Sequence, residues 1–308
     1  MEAEAYRRLC DVIDQVSPHR RRARQQFGDH VIARVYAWAV GHDRPVSWAC
    51  DPDHWPDDHD LAGALPSQPT MSRRLRSVGV LQLLERVHAW LADRCAPGGP
   101  LKQIDSKPLV VGNYSKDPDA RRGRAAGEMA RGYKLHAIRC GCGGCCGGGA
   151  LRHWTLAAMN VNDQVPARAL LARLAGDPLD AGWGYVAGDN QYDANPVHAA
   201  AAAANHQLVA PPRAANAEVR DTRRNCAARL RSLELCANPL AACGLGPSFG
   251  LDVLRERKGI ERTFGHLAML GLFAPPPWVR RPHRVATWVV VKRCLQMVRL
   301  LEIARVAA

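Results

Sequence analysis

Apolar residues recur at helical spacing through the first third of the chain. Tyr6 to Val16 and His30 to Val40 each repeat them at about i, i+3, i+4 and i+7, the pattern of a helix that buries one face. Residues 51–60, Asp-Pro-Asp-His-Trp-Pro-Asp-Asp-His-Asp, break the pattern with prolines and acids and read as a loop. Thr70 is then the expected cap of a helix whose early turns carry Arg73, Arg74 and Arg76. A second helix is expected from Leu81 to Arg94, after Gly79. Helix, tight turn and basic helix make the outline of a DNA-binding helix-turn-helix. The competing reading is an ordinary helical hairpin with solvated arginines.

The period changes after Ala96-Pro97-Gly98-Gly99-Pro100, which reads as a linker. Strand-like segments follow: Gln103 to Val111, Tyr133 to Cys140, Trp154 to Val161, Gly184 to Gly188 and Gln207 to Ala210. Helices are expected at Pro166 to Leu174 and at Pro196 to Asn205, the latter with Asn195 as cap. A short basic helix is expected near Asp221 to Leu235, another through Glu261, and a last one from Val285 to Val306. Three strands followed by alternating helix and strand predict a mixed α/β sheet flanked by helices. The chain thus divides into an all-helical region, 1–95, and an α/β region, 101–308.

Charge narrows the partners. The formal net charge is +13, and most of the 42 basic residues are arginine. Such an excess favours a polyanion, and guanidinium forks match phosphate oxygens. The arginine and alanine usage also fits a GC-rich genome, so the excess of charge carries more weight than the choice of arginine. No uninterrupted apolar run reaches membrane-spanning length; the best, Val285 to Leu301, is broken by Lys292, Arg293 and Arg299. Met1 to Ala5 is acidic and lacks the apolar core of a secretory signal. Eleven irregularly spaced cysteines argue against a secreted disulfide framework and for a reducing cytoplasm.

Three acids stand in settings that suit chemistry. Asp105 follows Ile104 and precedes Ser106 and Lys107, so in strand geometry it faces away from Ile104. Asp189 ends the apolar run 184–188 and should emerge at the carboxyl edge of a buried strand, where α/β sheets bind ligands. Glu261 adjoins the core stripe Ile260, Phe264 and Leu267, with Arg257 one turn earlier on its own face. The bland readings are turn or cap aspartates and a surface ion pair worth under ~1 kcal/mol. Asp193 reads as a turn or helix-start acid. Glu256, the nearest alternative to Glu261, would lie about 140° round a continuous helix. Cys140, Cys142, Cys145 and Cys146 could hold a structural Zn²⁺, although their glycines fit a hairpin turn better. His136 on the second strand could face solvent or the site.

Four stretches in order, IDSKPL (104–109), RGYKLHAI (131–138), VAGDNQYD (186–193) and IERTFGHL (260–267), resemble the DDE transposases of bacterial insertion sequences. The resemblance implies an RNase H-like catalytic core, in the compact branch that lacks a large β insertion domain. It implies Asp105, Asp189 and Glu261 as catalytic metal ligands for two Mg²⁺ or Mn²⁺ ions. It further implies double-stranded DNA as partner, a homodimer on that DNA, and a bacterial, cytoplasmic, nucleoid-associated protein. DNA contacts are expected from Arg257, Arg262 and Lys107 near the acids and from Arg73, Arg74 and Arg76 in the helical region. Leu254 and Ala268 stand where the family has a tyrosine and a lysine that help hold DNA phosphates. Arg262, Lys258 or His266 would have to replace them, or strand handling is weakened. The rivals are a metal-dependent nuclease of the same fold, a catalytically decayed transposase-derived DNA-binding protein, and a zinc-stabilised DNA-binding protein.

Overall fold

The computed structural model describes residues 3–17, 26–57, 61, 65–95, 98–112, 115–125, 127–140, 149–213, 223–237 and 249–307. Helices α1 (Ala3–Val16), α2 (Asp29–Gly41), α3 (Val46–Ala49), α4 (Gln68–Arg74) and α5 (Val78–Cys95) fill its first part. α1 buries one face, through Tyr6, Leu9 and Ile13. α2 departs from a one-faced pattern, because every residue from Val31 to Val40 is buried. Arg34 within it is neutralised by Asp14 at 3.2 Å.

The helix expected at Thr70 begins earlier. Ser67 occupies the cap position, its hydroxyl donating to the Thr70 hydroxyl at 3.1 Å, and Pro69 lies in the first turn. Proline is pre-organised for that turn and lacks the amide the turn leaves unbonded. α5 is a core element rather than a projecting one. It packs along α11 (Pro282–Ala307) and against α1 and α2, burying Leu83, Leu84, Val87 and Leu91.

Among the described residues six strands form one sheet: β1 (Leu101–Val110), β2 (Arg121–Ala125), β3 (Glu128–Cys140), β4 (Leu151–Ala158), β5 (Gly184–Ala187) and β6 (His206–Val209). β1, β3 and β4 are joined antiparallel, and β1, β5 and β6 parallel. β2 extends the start of β3. This α/β order, with helices on both faces, is consistent with an RNase H-like arrangement, as the sequence implied. β4 lies three residues earlier than expected, because Asn160 and Asn162 belong to the turn that leads into α6 (Gln164–Ala175). β2, Arg-Arg-Gly-Arg-Ala, has no apolar alternation and gave no strand signal.

The remaining helices are α7 (Asn195–Ala203), α8 (Ala227–Ala237), α9 (Phe249–Arg255) and α10 (Lys258–Met269). Ala194, not Asn195, caps α7. The Asn195 amide instead ties α7 to the start of α8, donating to the Arg224 carbonyl at 2.7 Å and accepting from Cys226 N at 3.1 Å. One face of the sheet, with Ile104, Ile138, Val186 and Leu208, packs under α6 and α7. The other, with Leu109, Leu135 and Ala137, shares one apolar core with α10, α11 and the N-terminal helices. Among the described residues no helix is long and apolar enough to cross a membrane.

Arg293 of α11 is 1% exposed, and none of its side-chain nitrogens has a hydrogen-bond partner. Burial pushes its pKa down to about 9. Its guanidinium lies 5.3 Å from the centre of the Trp154 ring, which offsets only part of the desolvation. Arg293→Met is therefore expected to stabilise the fold by on the order of 1–4 kcal/mol, taking as a guide the range for buried ion pairs replaced by apolar side chains. The readout is a higher urea midpoint at unchanged slope. A lower midpoint would mean that the ring contact outweighs the cost of burial.

Candidate active site

Asp105 and Asp189 meet because β1 and β5 are parallel neighbours. Their register pairs Lys102 with Val186 and Gln103 with Ala187. Continued by two residues, it sets Asp105 beside Asp189. β5 ends at Ala187, whereas β1 continues to Val110 along β3, so Asp105 lies midway along its strand rather than at a strand end. Alternation turns Ile104 and Ser106 to the α6 face, and Asp105 and Lys107 to the α10 face. Asp189 caps the short 3-10 turn Asn190–Tyr192, with Oδ1 accepting from Gln191 N at 2.9 Å. The cap reading and the site reading are compatible, since this bond engages only one oxygen.

Glu261 arrives on α10. Ile260, Phe264 and Leu267 are buried as the stripe required, and Glu261 stands exposed beside them. Gly259 allows the helix to lie this close to the sheet. A Cβ there would come within 2.5 Å of Arg139 Nη1 and 2.6 Å of Gln103 Oε1. Arg257 immediately precedes α10, and its guanidinium spans two of the acids. It lies 2.8 Å from Glu261 Oε1 and 3.6 Å from Asp105 Oδ2.

Electrostatics sets this cluster apart. Burial raises the Asp105 pKa to about 7, against the Ser106 N–H that bonds its Oδ1 at 2.8 Å. Repulsion from Asp189 and Glu261 adds to the rise, and Arg257 opposes it. Burial likewise raises Asp189. Carboxylates held together at this cost are the environment a cation relieves. The Arg257 guanidinium, lodged between Asp105 and Glu261, brings positive charge to the cluster. The donor set is all oxygen, the ligand type that hard divalent cations take.

The other expected site residues are distributed unevenly. Lys107 and Arg262 are exposed, as are Arg73 and Arg76. Arg74 is turned inward, donating to the Phe27 carbonyl at 2.7 Å and pairing with Asp29. Glu256 corrects a geometric expectation. α9 ends at Arg255 and α10 begins at Lys258, so no continuous helix separates the two glutamates. Glu256 and Glu261 line one shallow concavity with Arg255, Lys258 and Arg262. Asp193 is more than a turn acid. It is buried and accepts from Arg229 Nε at 2.7 Å, Arg229 Nη2 at 2.8 Å and Arg213 N at 3.0 Å. Burial alone would raise its pKa, but His198 and Arg229 hold it well below the usual carboxylate range. His136 is buried toward the α6 face with neither ring nitrogen bonded, and burial lowers its pKa to about 4. Cys140 ends β3 and is buried, whereas Cys142, Cys145 and Cys146 lie outside the described residues.

Sequence reasoning missed two features. Asp163, just before α6, accepts from Ser106 Oγ at 3.0 Å and Lys134 Nζ at 2.6 Å. Its only sequence signal is an acid directly ahead of a helix. The second is His153, Asp177 and Asp180, whose donor atoms lie within 4.8 Å of one another and could hold a metal ion. Basic side chains already surround that group. Asp180 pairs with Lys102 and lies 3.5 Å from Arg152 Nε, which also bonds Asp177 at 2.6 Å. Asp105, Asp189 and Glu261 do not form so tight a group. No model of a known protein family matches this chain, and neither does any curated protein or solved structure.

Proposed function

We propose that this protein is a DNA transposase of the DDE type. It would cut DNA strands at the ends of a mobile element and join the freed 3′ ends to a target duplex. The observation that carries the reading is the convergence of Asp105 and Asp189 from adjacent parallel strands with Glu261 from α10, an arginine lodged among them. The four matching stretches, in family order, lend it further support.

Asp105 and Asp189 would hold two Mg²⁺ or Mn²⁺ ions, and Glu261 would complete the shell of one of them. When bound, such ions activate the attacking oxygen and neutralise charge building on the phosphoryl oxygens and the leaving group. The chain itself contributes position. β1 and the end of β5 fix two carboxylates side by side on a rigid sheet, and α10 brings the third, with Lys258 at its start and Arg262 next to Glu261. Arg257, freed from Asp105 and Glu261, becomes a phosphate-binding fork. Lys107, Lys258 and Arg262 are exposed nearby and supply further backbone contacts.

In the first reaction water attacks phosphorus and the P–O3′ bond breaks. The water oxygen stays on the 5′ phosphate and a proton ends on the 3′ oxygen. In the second, that 3′-OH forms an ester to a target phosphorus and displaces a target 3′-OH, so the number of phosphodiester bonds is conserved. Element ends and target are both double-stranded DNA. Pairing of two ends argues for a homodimer on DNA in the cytoplasm, at the nucleoid.

A nuclease of the same fold is the second reading. Leu254 is packed against an apolar cluster that includes Val253 and Ala187, and Ala268 offers no polar group, so two phosphate contacts of the family are missing. Cation dependence tests what the two readings share. Mg²⁺ or Mn²⁺ should support cleavage of a duplex carrying the element ends, and Ca²⁺ should support binding with little cleavage. Full activity in excess chelator would overturn both.

A further inference from the structure

We infer that the β2–β3 hairpin is a docking surface for duplex DNA, in which Arg122 and Arg124 hold the phosphate backbone at a distance from the acids. The inference rests on reading DNA as the substrate of Asp105, Asp189 and Glu261.

β2 is an unfavourable strand by local rules. Arg-Arg-Gly-Arg-Ala supplies no β-branched or aromatic side chain. Arg121, Arg122 and Arg124 are exposed, and among the described residues none of them pairs with an acid. Arg122 stands directly opposite Arg131 of β3, and like charges so placed destabilise a strand pair. Local rules broken without compensation inside the fold are expected at functional positions.

The hairpin is nonetheless held firmly. Gly123 is seated on the turn after β4, where a Cβ would come within 2.4 Å of the Met159 carbonyl oxygen. Gly127, with φ of +89°, supplies the left-handed residue that leads into β3. Arg131 clasps the approach to β2, donating to the carbonyls of Ser115 at 2.8 Å, Asp117 at 2.6 Å and Ala120 at 3.0 Å. The acids of this region are engaged elsewhere. Asp117 is buried and accepts from the Tyr133 hydroxyl and from Arg281 N, both at 2.9 Å. Asp119 pairs with Arg281 at 3.3 Å. Glu128 lies opposite Ala125, so alternation turns it to the other face from Arg122 and Arg124. A fixed ribbon therefore presents two guanidinium groups whose charge suits a polyanion.

Register ties this ribbon to the acids. Arg122 and Arg124 lie opposite Arg131 and Met129, which alternation places on the same face as Leu135 and Ala137. Leu135 and Ala137 in turn lie opposite Lys107 and Asp105. The two arginines, Lys107 and Asp105 thus share one face of the sheet. From Ala137 back to Arg131 the strand covers about 20 Å, at roughly 3.3 Å per residue. A DNA strand advances about 3.4 Å per phosphate, so a backbone that reaches both places meets the hairpin about six base pairs from the acids. A stiff duplex spans that distance without bending.

The test is fluorescence anisotropy of the full-length protein with a duplex of arbitrary sequence, titrated over a range of NaCl concentrations. Arg122→Gln/Arg124→Gln should bind about tenfold more weakly than wild type, with a salt slope shallower by about 2, since each phosphate contact contributes about 0.9. Arg122→Lys/Arg124→Lys keeps the charge and should bind within about threefold of wild type. Equal urea midpoints show that both variants fold. Unchanged affinity and slope in the glutamine variant would overturn the inference. The arginines would then serve to keep a sheet edge from pairing with another chain, and the glutamine variant should sediment as dimers or larger species. Loss of affinity for a matched RNA duplex but not for DNA would also overturn it. The outcomes separate the hairpin from the reading it rests on. If the wild type binds DNA and the glutamine variant binds it equally well, only the hairpin is wrong. If the glutamine variant loses binding but no divalent cation supports cleavage by wild type, the hairpin stands and the transposase reading falls. If the wild type binds no duplex, both fall.

Discussion

Replacing Asp105, Asp189 or Glu261 by its amide should reduce strand cleavage and joining on the order of a thousandfold or more, while DNA binding survives or tightens. Asn and Gln keep the shape but lose the charge a hard cation needs. Residues acting as a unit fail together, so double variants should be little worse than single ones. Asp105→Asn carries a second signature. The half-buried Asp105 holds its proton to about pH 7, against 3.8 in its ordinary setting. Between those values the folded protein binds more protons than the unfolded one, so cation-free stability falls as pH rises from about 4 to 7. The amide removes that loss, and the variant should melt above wild type at pH 8 in chelator while being inactive. Lower stability together with lost activity would point to ordinary structural damage. Glu256→Gln is the informative comparison for Glu261→Gln, because both glutamates line one concavity. Near wild-type cleavage by Glu261→Gln alone would transfer the third role to Glu256.

Asp180→Ala should cost about 3–5 kcal/mol, the penalty for breaking a buried ion pair from one side. Lys102 and Asp180 side chains are each 1% exposed, and the substitution strands the ammonium with the Gly99 carbonyl as its remaining oxygen partner. Arg152 and His153 lose a partner as well. Burial alone would raise the Asp180 pKa, but His153, Lys102 and Arg152 lower it to about 2. The unfolded chain protonates this group at higher pH. Its stabilisation is therefore complete above the ordinary aspartate range and is lost as pH falls from about 4 to 2. Thermal unfolding across that range should show the wild type converging on the variant. If chelator lowered the wild-type midpoint at neutral pH as much as the substitution does, His153, Asp177 and Asp180 would be holding a metal.

What the sequence could show depended on how local the cause was. The core stripe of α10 and the alternation in β1 are set by neighbours a few residues away, and both were readable. So was the placement of Asp105 opposite to Ile104. The polar strand β2 exists because β3 offers an edge, and nothing in Arg-Arg-Gly-Arg-Ala announces it. Arg74 looked like its neighbours Arg73 and Arg76 until Phe27 and Asp29 turned it inward. Asp163 and Lys134 come together only once α6 is folded against β3, as do Lys102 and Asp180 across the sheet. Asp193 looked expendable for the same reason, since Arg229 reaches it from α8.

The proposed chemistry rests on joining as well as cutting. The decisive assay mixes the purified protein with end-labelled duplexes from the DNA flanking its gene and a supercoiled target plasmid, in Mg²⁺ or Mn²⁺. Labelled 3′ ends should become covalently attached to the target, and the product should vanish with Asp105→Asn, Asp189→Asn, Glu261→Gln or chelator. Cleavage without joined product would leave a nuclease of this fold, and neither cleavage nor joining in any divalent cation would contradict the assignment outright.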